Sequence, residues 1–365
     1  MRGADITQEA LFTTIKLDER VPHDHPLRSI KILFDQALTH IDWKLSLIYS
    51  ERGRESIPPE RLLRALLLQI LFSIRSERQL VEQIQYNMLY RWFIGLSIDD
   101  PVWDHSTFSV NRDRLIRHDV STELFAEVIA TARKQQLLSN DHFSVDGTLM
   151  QAWASQKSFR PKQSDDDRDQ GGGPSGRNQE ENFRGTRRSN DTHESTTDPD
   201  ARLFKKSKGQ EARLSFMGHT VMENRNGLIV ATQASLATGT AERDVAQGLL
   251  KALPGAHRKT VGADKNYDTK GFVKECRKHR ITPHVARNDK RSGGSAIDGR
   301  TSNKAGYAAS QIVRKRVEEP FGWGKTVGHL RQLKVRGLAK VNSVLEMTMM
   351  AYNLVRMSKL QGQSV

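Results

Sequence analysis

The chain has 365 residues and a formal net charge of +14, which predicts more than one domain and a polyanionic partner such as nucleic acid. Its start, Met1-Arg-Gly-Ala-Asp5, lacks the apolar core of a signal peptide, and its most apolar stretch, Ala65 to Phe72, is too short to span a bilayer. One cysteine, Cys276, excludes an internal disulfide and a multi-cysteine zinc site. We therefore expect a soluble, cytoplasmic protein with no membrane partner.

Helical patterns dominate residues 1–138. Apolar residues recur at a helical period from Pro26 to Tyr49, and Pro58-Pro59-Glu60 supplies the proline and the acid that commonly begin a helix. The stretch Ser76-x-x-Gln79 has the spacing of a capping box, and Asp104 is a candidate N-cap for the segment that follows it. The sequence therefore predicts an all-α domain of short helices separated by polar turns.

Short helices of this kind are typical of a helix-turn-helix-like domain that binds DNA or mediates dimerisation. Either Ser76–Asn87 or Ser106–Arg117 would then lie on DNA, with Arg112 and Arg114 in contact with phosphate. The alternative is a plain helical scaffold. The basic balance of the chain favours DNA contact in this region without selecting the recognition helix.

Strand patterns follow the helical region. Phe143–Met150 has the composition of a buried strand, and Leu214–Met222 and Leu228–Leu236 are predicted to form a hairpin through Asn226-Gly227, because both turn positions can accept positive φ. Thr240 is expected to cap the next helix. Helix, strand, helix and strand are then predicted, in that order, over Ala241–Leu253, Lys259–Asp264, Thr269–His279 and Ile281–Ala286. A helical C-terminal region follows, so the predicted fold is a mixed α/β sheet flanked by helices.

The chain is expected to divide into a helical DNA-binding or dimerisation domain, an α/β domain, a polar insertion and a C-terminal helix with a tail. These are residues 1–138, 139–154 together with 213–345, 155–212, and 346–365. The first half of the insertion has no apolar periodicity and is predicted to be a mobile loop. Its end, Ser195–Arg202, is rich in turn-forming residues and is expected to be ordered. The acidic run Asp165–Asp167 is interpreted as a solvated tract rather than a metal site.

Three carboxylates carry the functional prediction. Asp146 lies on the first strand, Asp264 ends the fourth, and Glu318 lies in a markedly basic segment. For each aspartate alone, a strand-end turn or a helix cap is the simpler interpretation. Neighbouring strands can bring the aspartates together under a helix that supplies the glutamate, and converging carboxylates need a cation to offset their repulsion. Their hard oxygen atoms suit Mg²⁺, and two such ions can activate an attacking oxygen and stabilise the leaving one.

Basic side chains flank Glu318. Arg314 and Lys325 fall within about 40° of it on an ideal helix. Pro320 disfavours an unbroken helix there and predicts a kink or a helix junction at Glu318. Glu319 competes with Glu318 for the role of metal ligand, and the spacing to the Arg and the Lys selects Glu318. We expect three side chains of this segment to bind phosphate: Arg314, Arg316 and Lys325. The alternative is a charged helix that is merely solvated.

Longer motifs extend along the chain, at Phe143–Thr148, Ser195–Arg202, Met217–Gly227, Gly239–Arg243, Ala263–Asp268 and Arg316–Lys325. Together they resemble bacterial insertion-sequence transposases of the DDE type, in particular the insertion-sequence-five group. The stretch from Ile57 to about Leu115 also resembles the N-terminal domain of those transposases. The resemblance covers nearly the whole chain.

The resemblance implies a ribonuclease-H-like catalytic domain with Mg²⁺ or Mn²⁺ as cofactor, two ions in each active site. It implies that Asp146, Asp264 and Glu318 are the catalytic triad and metal ligands, and that Arg314 and Lys325 are the Arg and Lys of a Tyr-Arg-Glu-Lys signature. The expected partners are double-stranded DNA, as terminal inverted repeats and as target, and a second copy of the chain. The expected location is the cytoplasm of a bacterium, at the nucleoid.

The chain departs from that pattern in two places. Gln311 occupies the Tyr position of the signature, so the role of that Tyr is not transferred. Only a modest loop separates Ala286 from Glu318, whereas some relatives carry a large β insertion before the Glu. The main insertion here follows the first strand instead, and we therefore do not assume a pathway through a DNA hairpin.

Three functions are consistent with these features. The first is a transposase that cleaves DNA and joins the 3′-hydroxyl to a target. The second is a catalytically silent, transposase-derived DNA-binding regulator, against which the intact acidic triad argues. The third is a metal-dependent nuclease that cleaves without joining.

Overall fold

The N-terminal third is helical in the computed structural model, which describes residues 16–49, 56–162, 188–207 and 209–362. Its helices are α1 Leu17–Arg20, α2 Pro26–His40, α3 Asp42–Ile48, α4 Pro59–Leu71, α5 Glu77–Tyr86, α6 Met88–Ile94, α7 His105–Arg117 and α8 Val120–Lys134. Both predicted caps are confirmed, since Ser76 Oγ accepts a hydrogen bond from Gln79 N (3.1 Å) and Asp104 Oδ1 accepts one from Ser106 N (2.8 Å). The first apolar stretch divides at Ile41 into α2 and α3.

Strands and their covering helices form the rest of the described chain. The strands are β1 His142–Gln151, β2 Phe159–Pro161, β3 His193–Ser195, β4 Arg202–Phe204, β5 Arg213–Glu223, β6 Ile229–Leu236, β7 Lys259–Ala263 and β8 Ile281–Val285. The helices are α9 Ala241–Lys251, α10 Lys270–Lys278, α11 Gly299–Ser302, α12 Ala305–Val313, α13 Glu318–Thr326 and α14 Leu338–Gly362. The predicted order of strands and helices is therefore confirmed.

The central sheet has the strand order β4-β5-β1-β7-β8, and β6 pairs with β5 beyond the short β4. β5 is antiparallel to β1 and to β6, whereas β7 is parallel to β1 and β8 is parallel to β7. Parallel neighbours need a crossover connection, which α9 supplies before β7 and α10 supplies before β8. This order and these directions confirm the expected ribonuclease-H-like mixed sheet.

Two local predictions around β6 need correction. The hairpin itself forms, but positive φ occurs at Gly227 (71°) and not at Asn226, because the turn is longer than two residues and the carboxylate of Glu223 binds the amides inside it. Thr240 makes no side-chain cap for α9. Thr238 Oγ1 accepts a hydrogen bond from the first amide of α9 instead (3.1 Å).

The ordered end of the insertion holds the start of α14. Asp198 Oδ1 accepts a hydrogen bond from Gly337 N (3.1 Å), and Asp200 Oδ2 accepts one from Leu338 N (2.9 Å). Acidic oxygens at a helix N-terminus satisfy free amides and interact favourably with the helix dipole. The order expected for Ser195–Arg202 is confirmed, whereas most of the predicted mobile loop and the acidic run Asp165–Asp167 lie outside the described residues.

The long helix α14 joins the N-terminal helices to the sheet. One continuous apolar core contains Phe34 of α2, Leu124 of α8, Ile229 of β6 and Leu345 of α14. Asn353 extends this contact, because its side-chain amide binds both the N–H and the C=O of Ile229 (2.8 Å each). The boundary expected between residues 345 and 346 therefore falls inside a continuous helix. Within the described ranges, no helix is long and apolar enough to cross a membrane.

Candidate active site

The two predicted aspartates lie level with each other on adjacent strands. In the parallel pair of β1 and β7, Ser144 lies opposite Gly262, and Asp146 and Asp264 each follow two residues later. The pairing stops at Ser144 and Gly262, so both aspartates lie where the strands part, and both are half-buried. Asp264 directly follows the carboxyl end of β7, which is the usual ligand-binding edge of an α/β sheet, and Asp146 lies level with it within β1.

Glu318 comes from a helix junction, one of the two outcomes that Pro320 predicted. A 3-10 turn, Arg314–Val317, leads from α12 into α13, and Glu318 is the first residue of α13. Pro320 lies in the first turn of α13, where an amide would have no intrahelical partner, so the proline costs no helix hydrogen bond there. Arg314, Glu318 and Lys325 therefore do not share one face of a continuous α-helix.

The two neighbouring glutamates have different surroundings. The carboxylate of Glu318 lies close enough to Asp146 to help raise the pKa of that aspartate. Glu319 lies instead beside Arg316, with 3.8 Å between Oε1 and Nε, and near the hydroxyl of Tyr352, whose pKa it helps to raise. This difference supports the choice of Glu318.

Negative charge is concentrated around Asp146. Burial raises the pKa of Asp146, a hydrogen bond from Gly147 N (2.8 Å) opposes that rise, and the carboxylates of Asp264, Glu242 and Glu318 add to it, so that the pKa moves from 3.8 to about 7. Among the described residues, no basic side chain makes a hydrogen bond or ion pair with this carboxylate, and Lys325 acts on it only at longer range. Perturbed groups of this kind are common in functional sites.

Sequence reasoning missed Glu242. It lies in the first turn of α9, within the motif Gly239–Arg243, where an acid is ordinary because it complements the helix dipole. In the structure, burial and then repulsion from Asp264 raise its pKa. Only the packing of α9 against β1 and β5 shows that this side chain faces the aspartates.

The donor set fits a hard divalent cation. Carboxylate oxygens from β1, from the end of β7 and from α13 are the ligands that Mg²⁺ and Mn²⁺ accept, and a cation would offset the repulsion that raises the pKa of Asp146. As the side chains stand, no three His, Cys, Asp or Glu groups in the described ranges are close enough together to hold one ion. Repelling carboxylates favour separated rotamers, which a bound cation would draw inward.

A cationic cleft of about 440 Å³ adjoins the acidic cluster. Lys325, one of the predicted phosphate-binding residues, lines it and donates a hydrogen bond from Nζ to Thr148 Oγ1 (2.6 Å), two residues along β1 from Asp146. Burial lowers the pKa of Lys325, with contributions from Lys206 and Arg331 that Asp146 opposes. The further basic side chains of this cleft, which sequence reasoning did not select, are Lys206, Arg243, Lys265 and Arg291.

The loop after β8 brings Arg291 to the cleft. The buried carboxylate of Asp268 accepts hydrogen bonds from Asn288 N (2.7 Å) and Ala296 N (2.9 Å), and Arg291 Nη1 donates to the C=O of Asp268 (2.6 Å). Asp268 ends the motif Ala263–Asp268, so one motif supplies both a candidate ligand and a loop anchor. Nothing local in the sequence connects residue 268 with a loop more than twenty residues later.

Arg314 lies beside β7 and is oriented by Gln311. Its Nε donates to Gln311 Oε1 (2.9 Å), and Gln311 Nε2 donates to the C=O of His284 (2.6 Å). A Cβ placed on Gly262 would lie 3.0 Å from the Cβ of Arg314, so the glycine permits this close approach. Gln311, at the Tyr position of the signature, therefore links Arg314 to β8, the edge strand of the sheet.

The other three predicted phosphate-binding arginines lie elsewhere. Arg316 Nη1 donates to the C=O of Asn224 (3.2 Å) at the hairpin turn. Arg112 is paired with Glu77 and with Asp113, and the guanidinium of Arg114 lies over the ring of Tyr49, at 5.1 Å. None of these three arginines lines the cleft beside the acidic cluster, so their contact with DNA stays a prediction and they are not part of the interface proposed below.

Comparison with known protein families agrees with this arrangement. Residues 140–354 match the family described as "Transposase DDE domain", which is more than half of the chain. The chain belongs to the DDE transposase family. Residues 15–114 of the transposase also match the family described as "Transposase domain (DUF772)". No curated protein matches the chain.

Two solved transposase structures resemble the chain weakly. A piggyBac transposase synaptic complex with hairpin DNA covers 92% of this chain and 76% of its own, at 12% identity and a TM-score of 0.41. A Mos1 transposase paired-end complex with left transposon end covers 79% of this chain and 84% of its own, at 11% identity and a TM-score of 0.20. Both scores are too low to carry over any residue or DNA geometry from those complexes.

Proposed function

We propose that this transposase binds the terminal inverted repeats of its element, cleaves DNA there and joins the 3′-hydroxyl to target DNA. The observation that carries the proposal is the level placement of Asp146 and Asp264 where β1 and β7 part, with Glu318 close to Asp146. Asp146, Asp264 and Glu318 are the proposed catalytic residues and the ligands of Mg²⁺ or Mn²⁺, with two ions in each site.

The bound cations and the basic side chains around the acids have separate proposed roles. When bound, the divalent cations supply charge stabilisation and activation of the attacking oxygen. Lys325 and Arg314 hold phosphate beside the acids, each fixed by a hydrogen bond to a neighbour on the protein. The cleft next to Lys325 takes the DNA backbone through Lys206, Arg243, Lys265 and Arg291. Positioning and electrostatics supply most of the rate in phosphoryl transfer.

A transposition event involves two element ends, and the described part of the chain contains one such acidic cluster. We therefore propose that a homodimer brings two active sites together. Size-exclusion chromatography with light scattering, with and without terminal-repeat DNA, measures the stoichiometry.

A strand-transfer assay tests the function. Labelled terminal-repeat duplex and a target plasmid are incubated with the full chain and Mg²⁺, and we expect labelled joined products that are absent with a chelator. Cleaved but unjoined DNA would favour a metal-dependent nuclease. Tight, salt-dependent binding with no cleavage in Mg²⁺ or Mn²⁺ would favour a silent DNA-binding regulator. Either of these outcomes would overturn the proposal.

Replacing Lys325 by methionine should weaken DNA binding and cleavage. The substitution keeps the length of the apolar stem but removes a charge bound to Thr148, which lies two residues along β1 from Asp146, so we expect about a tenfold loss of cleavage rate. Loss of one phosphate contact should also reduce the slope of log binding constant against log salt by about 0.9. Fluorescence anisotropy over a salt series measures the slope.

The matched control for this lysine is Lys251→Met. Lys251 is exposed in the last turn of α9 and does not line the cleft. Equal losses for Lys325→Met and Lys251→Met would contradict a specific role for Lys325, because they would reflect net charge alone.

A further inference from the structure

The side chains of Glu242 and His219 lie beside Gly147, next to the position that a Cβ would occupy. A Cβ built there would lie 3.1 Å from Glu242 Cγ, 3.3 Å from Glu242 Oε1 and 3.3 Å from His219 Nδ1. Distances of this kind are tighter than ordinary van der Waals contact, so the absent side chain is what admits Glu242. The carboxylate thereby rests against the backbone of β1, one residue beyond Asp146.

Arg243 and Lys206 act on the carboxylate of Glu242 electrostatically, without direct contact. No hydrogen bond or ion pair of the described residues involves it, although Arg243 and Lys206 line the same cleft. Acids in a first helical turn usually serve the helix itself by binding its free amides. Glu242 instead extends across to β1, and the helix amide is capped by Thr238.

His219 supplies a second, independent indication of a ligand at this place. It lies opposite Gly147 in the β1–β5 pair and is fully buried. Its Nε2 pairs with Ser235 Oγ (2.8 Å), but its Nδ1, which faces the same space as Glu242 Oε1, has no hydrogen-bond partner. A buried ring nitrogen without a partner costs free energy unless a bound group completes the site.

We propose that Glu242 is a fourth carboxylate of the metal centre and that Gly147 is required for its approach. The proposal rests on the proposed function, because the cation is the one assigned to Asp146, Asp264 and Glu318. Glu242 would add hard oxygen donors from α9, which packs on β1 and β5. The cation would then be held by carboxylates from β1, the end of β7, α9 and α13.

Metal binding by the full-length chain tests this without any need for activity. Isothermal titration with Mg²⁺ alone is compared for the wild type, Glu242→Gln and Asp244→Asn, with Asp146→Asn as the reference. We expect Glu242→Gln to weaken Mg²⁺ binding about tenfold. Asp244→Asn is the matched control, because Asp244 is an exposed acid in the same helical turn, so this variant should bind Mg²⁺ as the wild type does.

A second pair of variants tests the approach itself. Gly147→Ala should displace the Glu242 carboxylate and weaken Mg²⁺ binding, whereas Gly248→Ala, on α9 with open space around it, should not. Circular dichroism melting identifies any variant that fails to fold. Unchanged Mg²⁺ binding in Glu242→Gln, with weakened binding in Asp146→Asn, would overturn this proposal and leave the proposed function standing. Unchanged binding in all variants, including Asp146→Asn, would overturn both.

Discussion

Asp146→Asn should abolish metal-dependent DNA cleavage and, in the absence of divalent cations, should stabilise the fold at pH 8. The amide keeps the size of the side chain but removes the negative charge on which the proposed cation site depends. We expect the cleavage rate to fall by a factor on the order of a thousand or more. The same charge is costly to the folded chain, because burial and neighbouring carboxylates raise the pKa of Asp146 to about 7.

The sign of the pH dependence follows from proton binding. Between about pH 4 and pH 7 the unfolded chain has released the Asp146 proton while the folded chain still holds it. The contribution of Asp146 to the free energy of unfolding therefore falls as pH rises through this window and levels off above the folded pKa. One pKa unit corresponds to about 1.4 kcal/mol, so the loss is roughly 2 to 4 kcal/mol after allowance for partial exposure.

Urea denaturation with a chelator, at pH 4 and at pH 8, measures this effect. The wild type should lose more stability between the two values than Asp146→Asn does, and the exposed control Asp244→Asn should behave as the wild type. Mg²⁺ added at pH 8 should recover stability in the wild type and much less in Asp146→Asn. Equal pH dependence in wild type and Asp146→Asn would contradict the electrostatic account, and full cleavage activity in Asp146→Asn would contradict the catalytic one.

Gly324→Ala should destabilise the fold, whereas Gly322→Ala in the same helix should not. A Cβ on Gly324 would lie 2.7 Å from Leu330 Cδ1 and 3.3 Å from Thr348 Cγ2, and both of those neighbours are fully buried. Overpacking of this kind costs about 1 to 3 kcal/mol. A Cβ on Gly322 meets nothing within 4 Å, and alanine is the better helix former by up to about 1 kcal/mol.

If the added Cβ of Gly324→Ala shifts α13, the active site should also be affected, because α13 carries both Glu318 and Lys325. We expect Gly324→Ala to lower the cleavage rate and the free energy of unfolding together, as followed by urea denaturation at pH 7 and the strand-transfer assay. Two variants of equal stability would show that the contact with Leu330 relaxes freely and would contradict the prediction.

Local sequence patterns were sufficient to predict structure where it depends on residues within one segment. The capping residues Ser76 and Asp104, the strand of Asp146 and the order of strands and helices were all predicted, because helix caps and hydrophobic period act within a few residues. Local patterns failed where a second segment intervenes. The boundary expected near residue 345 falls inside α14, a helix that packs on both the N-terminal helices and the sheet.

Composition and local patterns were enough to predict the fold class and the chemical character of the site, because acids follow strand-forming stretches in a chain with a large positive charge. Tertiary structure decided which acids meet. The register of β1 against β7 sets Asp146 level with Asp264, and the packing of α9 on β1 brings in Glu242. Periodicity records which face of an element is buried, but not which distant element covers it. The basic character of a segment likewise did not show which neighbours Arg112 and Arg316 would contact, namely Glu77 and the C=O of Asn224.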